Sequence, residues 1–335
     1  MAPICVDLCT LPVDFFLLWE ERDIHLFSVL IMKRFLKNIV LCGIPLLLFL
    51  IVVEVVVRSA PNDYKYKWSY LEEHASDIEV LVLGNSNTAH GIDCWILPNS
   101  FNMAMGGQGI MMDGFILSRF IGKMPKLKLV IIPMTYPSLI MPESFGTPDR
   151  YMQYNIYYHY NPKWYSKESY ECLNFLSCSK KIRSLLKGNC LVTTDSLGCY
   201  KASGNGFYDI SDETLSWMSG RNPNMEKINR EHLEKIVGLC EENVVKVILV
   251  SIPVDTTFRE NKLFNKEQMD LVKNVSRIMS EEHDDVYWID WYDNPDFSKS
   301  DFFNSDHLNE RGAVKLTDRL MQFMIEKDIV DGGGL

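Results

Sequence analysis

Two stretches far apart in the chain carry the residue types of nucleophilic catalysis. LVLGNSNTAHGID, residues 81 to 93, runs from apolar residues through Gly84 into Asn85, Ser86, Asn87 and Thr88. DFFNSDHLNERGA, residues 301 to 313, puts His307 just ahead of a helical pattern. A serine hydroxyl is a weak nucleophile at its ordinary pKa and needs a base within hydrogen-bonding reach. A neutral imidazole can take that proton and return it to a leaving group. A third stretch, FNMAMGGQG at 101 to 109, holds Gly106 and Gly107, whose backbone N–H groups can approach a tetrahedral oxyanion closely. Ser86 as nucleophile, His307 as base, and the amides of Ser86 and of Gly106 or Gly107 as oxyanion hole would together perform acyl chemistry. Each also has an ordinary structural reading: Ser86 in a helix cap with Asn85 or Asn87, His307 as a loop residue, the glycines as a turn.

The elements that must bring these residues together follow from the apolar pattern. Strands are expected at Glu79–Leu83, Ser100–Met103, Lys128–Ile132, Val245–Ile252 and Val286–Ile289, with helices at Gly109–Lys123, Met225–Glu241, Lys266–Glu282 and Glu310–Glu326. Short β-branched strands alternating with helices predict a parallel sheet covered on both faces, with ligands beyond the carboxyl ends of its strands. Two more strand-end loops, PMTYPSL at 133 to 139 and PVDTTFR at 253 to 259, then offer Thr135, Tyr136, Asp255 and Arg259 to a substrate, beside Asn87 and Gln108. Asp255 and Arg259 read equally as an exposed ion pair, and His90 as a solvated helix residue. Residues 134 to 222 read as a cap-like insertion. Its segment YMQYNIYYHYNPKWY, residues 151 to 165, has six tyrosines and a tryptophan, which would either stack on sugar rings or pack against the sheet.

Composition narrows the class. The 335 residues carry a net charge of −10, with a pI near 5.3, which argues against a nucleic-acid partner. Nine cysteines show no CxxC pair and no spacing with histidine that suits zinc, so neither a metal nor an organic cofactor is implied. If the region is exported, Cys172, Cys178, Cys190 and Cys199 are placed for a disulfide of unspecified pairing. From Ile39 to Val57 the chain is apolar except for Glu54, with Lys33, Arg34 and Lys37 just before it. Nineteen residues at about 1.5 Å each give roughly 28 Å, close to the hydrocarbon thickness of a bilayer. The basic flank predicts an uncleaved signal anchor over 32–58 with everything after it outside the cytoplasm. Residues 59–77 read as a stalk. Residues 1–31 show no clear period, and Met32 followed by KRFLKN reads as a start site with a doubtful extension before it.

These blocks resemble the SGNH hydrolases, also called GDSL-type esterases. GNSNTAHG is similar to the family's first block, NMAMGGQ to its second and NSDHLNERGA to its fifth, in the right order, over about residues 78 to 328 with a poorly matched middle, within a catalytic domain read over 78–330. The resemblance implies a three-layer α/β/α sandwich with a flavodoxin-like parallel sheet, and Gly107 as the oxyanion glycine. Three positions depart from the pattern. Asn85 stands where an aspartate is usual before the serine. No asparagine follows Ile132 to complete the oxyanion hole, leaving Thr135 or Tyr136 as substitutes. Asn304 stands where the acid should lie three residues before the histidine, with Asp301 and Asp306 as alternatives. The anchor and these departures resemble the envelope branch that includes alginate-type O-acetyltransferases. That branch implies an esterase or O-acyltransferase, acetyl in the first instance, acting on an acylated carbohydrate or envelope glycan and served by a membrane-bound acyl donor. A catalytically degenerate scaffold or a glycan-binding component of an envelope complex is the alternative the same departures allow.

Overall fold

Alternation along the strands builds two cores, one on each side of a sheet. In the computed structural model, which describes residues 13–142, 148–161, 163–200, 207–219 and 222–330, Val247 and Leu249 enter one core while Ile248 and Val250 enter the other. The strands are β1 (Val80–Val82), β2 (Ser100–Asn102), β3 (Leu129–Pro133), β4 (Lys246–Ser251) and β5 (Val286–Asp290). All pair in parallel, in the order β2-β1-β3-β4-β5. That is the flavodoxin-like order, whose switch point lies between β1 and β3.

The chain divides into two compact units, Met1–Ser59 and Ala60–Leu335. In the first, α1 (Val13–Ser59) is one continuous helix, and its portion from Phe27 to Ser59 is long and apolar enough to cross a membrane. The helix starts well before Met32, because no proline or glycine interrupts residues 13 to 42. Residues 1–12 of the doubtful extension lie outside the described residues.

In the second unit, α2 (Asp63–His74) precedes β1, and the short α3 (Ser86–Gly91) follows it. Helices α4 (Ile110–Phe120), α5 (Pro148–Tyr157), α6 (Phe175–Leu186) and α7 (Asp212–Met218) come next. Then follow α8 (Pro223–Glu242), α9 (Thr256–Arg259), α10 (Lys266–Glu282) and α11 (Glu310–Glu326). Side chains of α2, α4, α8 and α10 fill one core, and those of α11 fill the other, which makes three layers.

One segment departs from expectation, and a second takes one of the two forms expected of it. The segment read as a stalk is α2, capped by Asn62 and packed into the unit through Lys67, Trp68 and Leu71, all buried. Lys67 loses its hydration there and donates through Nζ to the Ala104 carbonyl at 2.5 Å; burial lowers its pKa to about 8. The tyrosine-rich segment lies in α5 as far as Tyr157, and its first tyrosines pack inward. Tyr154 and Tyr158 are fully buried, Tyr154 meets Tyr64 edge-on at 5.3 Å, and Tyr158 stacks on Trp68 at 4.9 Å. That packing removes most of the aromatic faces a sugar could use. Of the four clustered cysteines, Cys199 lies instead against Cys94, whose backbone N–H donates to its sulfur at 3.4 Å, and Cys190 is exposed.

Candidate active site

Ser86 owes its position to a sharp turn out of β1. Gly84 has φ +106, and a Cβ there would collide with the Pro133 ring, so only glycine lets the chain turn against β3. Asn85 is the N-cap of α3, its Oδ1 accepting from Asn87 N at 3.0 Å. Capping therefore falls to Asn85, and the Ser86 hydroxyl is left for another partner. That partner is His307: Nε2 lies 2.7 Å from Ser86 Oγ. Both residues are half-buried while Asn85, Asn87 and Asp306 around them are buried.

The imidazole is held from its other side by Asn304. Oδ1 of Asn304 lies 3.0 Å from His307 Nδ1 and also accepts the backbone N–H groups of Asp306 at 2.9 Å and His307 at 2.8 Å. An amide oxygen accepts only, so Nδ1 carries the hydrogen and Nε2 is left as the basic nitrogen facing Ser86. Nδ2 of Asn304 donates to Tyr208 Oη at 3.2 Å, which orients the amide. Asp306 does not reach Nδ1; its Oδ2 is 3.8 Å from Nε2, on the serine side of the ring. Asp301 is buried and pairs with Lys315 and Arg311 at 3.0 Å each, away from the imidazole.

The amides expected to face an oxyanion are open. The N–H groups of Ser86 and Gly107 find no acceptor among the described residues. Gly107 has φ +71, and a Cβ on it would collide with the Arg150 guanidinium, which therefore lies directly against this glycine. Thr135 is not available as the third donor. Its Oγ1 accepts from Asn85 Nδ2 at 2.8 Å and shares a hydrogen bond with Ser138 Oγ at 3.0 Å, so it fixes the cap instead.

The remaining candidates are structural. Asn87 donates to the Asp306 carbonyl at 2.7 Å and ties the serine loop to the histidine loop. Gln108 donates to Asp113 at 2.7 Å and accepts from Tyr154 Oη at 3.2 Å. Tyr136 is fully buried, donating to Ser219 and accepting from Asn265 N at 2.8 Å. Asp255 caps α9, and Arg259 pairs with Asp293, so the two do not form the expected ion pair with each other. All five of these side chains make hydrogen bonds or ion pairs within the scaffold.

Two residues, Asp113 and Arg150, were absent from the sequence reading, and a third, His90, was read otherwise. Asp113 accepts from Gly84 N at 2.9 Å as well as from Gln108, joining the first and second loops through one carboxylate; burial raises its pKa to about 7. An acid inside the apolar run of α4 was the available signal. His90 is not solvated. It stacks on Tyr200 at 5.2 Å and meets the His307 ring edge-on at 5.3 Å; burial, then the neighbouring His307, lowers its pKa to about 4 and keeps it neutral. Arg150 gave no signal, since only the folding of α5 brings it to Gly107. Among the described residues no group of metal-ligating side chains gathers at this site or elsewhere.

No protein-family model and no curated protein matches the sequence. Solved structures with a similar chain path include a GDSL-like lipase from Bacteroides thetaiotaomicron, at 12% identity and TM-score 0.41, over 80% of this chain and 100% of that one. Another, from Bacteroides fragilis and designated an acylhydrolase, shows 12% identity and TM-score 0.41 over 78% of this chain and 96% of that one.

Proposed function

We propose that the chain is a serine-dependent acyl-ester hydrolase or O-acyltransferase. The observation that carries this is the relay Ser86–His307–Asn304 beside two open amides. In the first half-reaction Ser86 Oγ attacks the acyl carbon as its proton passes to His307 Nε2. The N–H groups of Ser86 and Gly107 hold the negative oxygen, and the Arg150 guanidinium, which lies against Gly107, supplies the further N–H donor that an asparagine side chain would otherwise offer. Collapse expels the alcohol, which takes the proton from Nε2 and leaves an acyl-serine. Water or a sugar hydroxyl then gives its proton to Nε2 and attacks the acyl carbon, releasing acid or a new ester and restoring Ser86. Asn304 keeps the productive tautomer without a carboxylate's charge, and Asp306 beside Nε2 is the nearest anion to the imidazolium.

The finer reading is acetyl chemistry on a carbohydrate or envelope glycan outside the cytoplasm, in a chain anchored by the apolar part of α1. Lys33, Arg34 and Lys37 ahead of that stretch support this orientation. Hydrolysis of p-nitrophenyl acetate by the purified chain tests the first claim: wild type should turn over, and Ser86→Ala should lose about 10³-fold or more in kcat. Equal rates in the two would remove Ser86 from the chemistry. Incubating an acetylated oligosaccharide with and without an unacetylated acceptor separates transfer from hydrolysis by the mass of the product.

A further inference from the structure

The insertion carries a second surface that the acyl chemistry does not use. Helix α6 turns Cys178 inward and pairs Lys181 with the buried Glu171. Its other side presents Phe175, Leu176 and Leu186, which are 79%, 70% and 84% exposed. At 3.6 residues per turn Phe175 and Leu186 fall about 20° apart, and Leu176, Arg183, Lys187 and Lys180 occupy roughly the next 120° of the same side. Trp164 and Tyr165, upstream in the chain, are exposed as well.

Charge marks this surface as sharply as hydropathy does. Between Lys163 and Lys187 the chain has six basic and two acidic side chains, whereas the whole protein carries −10. Among the described residues no carboxylate lies within ion-pair distance of Lys180, Arg183 or Lys187. Large apolar side chains left in water beside unpaired cations are unfavourable for a free surface. They suit a bilayer's headgroup region, where aromatic rings sit at the interface, aliphatic side chains reach the acyl boundary and lysines meet anionic lipid.

We propose that this face of the insertion lies on an anionic membrane surface. The proposal rests on the membrane reading of α1, which would keep the second unit close to a bilayer. A second copy of the chain is disfavoured because two such basic faces repel. An anionic polymer would satisfy the lysines but leave Phe175, Leu176 and Leu186 hydrated.

The test uses the full chain in nanodiscs with and without phosphatidylglycerol, carrying a photoreactive benzophenone amino acid at one position at a time. The positions are Leu176, Leu186, Leu46 within the apolar helix, and Val244, an exposed apolar residue outside the insertion. Lipid adducts are expected at Leu46, Leu176 and Leu186 and absent at Val244. Those at Leu176 and Leu186 should fall several-fold without phosphatidylglycerol, and again in the triple variant Lys180→Gln, Arg183→Gln, Lys187→Gln. Adducts at Leu46 alone would overturn the proposal while leaving the anchor intact. No adduct at Leu46 would overturn the anchor, and the proposal with it. Adducts joining two copies, adducts at Val244 equal to those at Leu176, or retention on dextran sulfate without lipid adducts would each assign the face to something other than a bilayer.

Discussion

His307 Nε2 stands 2.7 Å from Ser86 Oγ although 221 positions of sequence separate the two residues. The sheet makes this possible. β1 delivers Ser86 at its carboxyl end, and the loop before α11 returns His307 to the same rim, where Asn87 fastens the two loops through the Asp306 carbonyl. The relay ends in an amide rather than a carboxylate.

That ending sets the first prediction. Asn304→Asp keeps the acceptor for His307 Nδ1 and for both backbone N–H groups, and the Tyr208 hydroxyl can turn to donate. The added charge stabilises the imidazolium, so kcat at neutral pH should rise, by up to about ten-fold. The pH at which activity appears should move upward, because the imidazole becomes more basic. Asn304→Ala frees the ring and should cost about 100-fold or more. Initial rates across pH 5 to 9 check both.

The oxyanion side gives the second. Gly107→Ala puts a side chain at φ +71, costing about 1–2 kcal/mol of strain, and drives the Arg150 guanidinium away. The expected loss in kcat is about 100-fold, the scale of one missing oxyanion donor. Arg150→Ala should lower kcat. If Arg150→Ala leaves kcat unchanged, the guanidinium is not part of the oxyanion site.

Asp113 makes a prediction about stability rather than rate. Its folded pKa, about 7, lies above the ordinary carboxylate value of 3.8, so the folded state holds the proton more tightly than the unfolded chain does. The contribution is full below about pH 4 and is lost as pH rises to about 7. In Asp113→Asn this loss should disappear. The difference in melting temperature, variant minus wild type, should therefore climb between pH 4 and pH 7, and thermal melts across that window test the sign.

Helix α2 belongs to the fold and is not a spacer. Leu71 is fully buried in the core that includes Trp68 and Phe120, so Leu71→Ala should destabilise by about 2–5 kcal/mol. Denaturant titration measures it, and a change below about 0.5 kcal/mol would return these residues to the role of a stalk.

What the sequence made legible follows from physics acting locally. Strand ends, glycine turns and caps depend on neighbouring residues, so β1 to β5, the four long helices of the sandwich, Ser86 and His307 could be placed from pattern and order, while only the family resemblance singled out Gly107 from Gly106. The direction of a polar side chain depends on what packs around it. Gln108 and Tyr136 therefore looked like substrate contacts, and in the fold their polar atoms hold Asp113, Tyr154, Ser219 and Asn265. Helix α2 escaped notice because its inward side is built from Lys67 and tyrosines as well as Trp68 and Leu71, which blurs the apolar period.

The most direct measurement is active-site labelling. A fluorophosphonate reacts covalently with a serine only where a base activates the hydroxyl and donors hold the anionic oxygen. Incubation of the purified chain followed by peptide mass spectrometry should place the adduct on Ser86, and Ser86→Ala and His307→Ala should abolish it. A wild-type chain that takes up no label, or labels at a serine other than Ser86, would contradict an activated nucleophile at this rim.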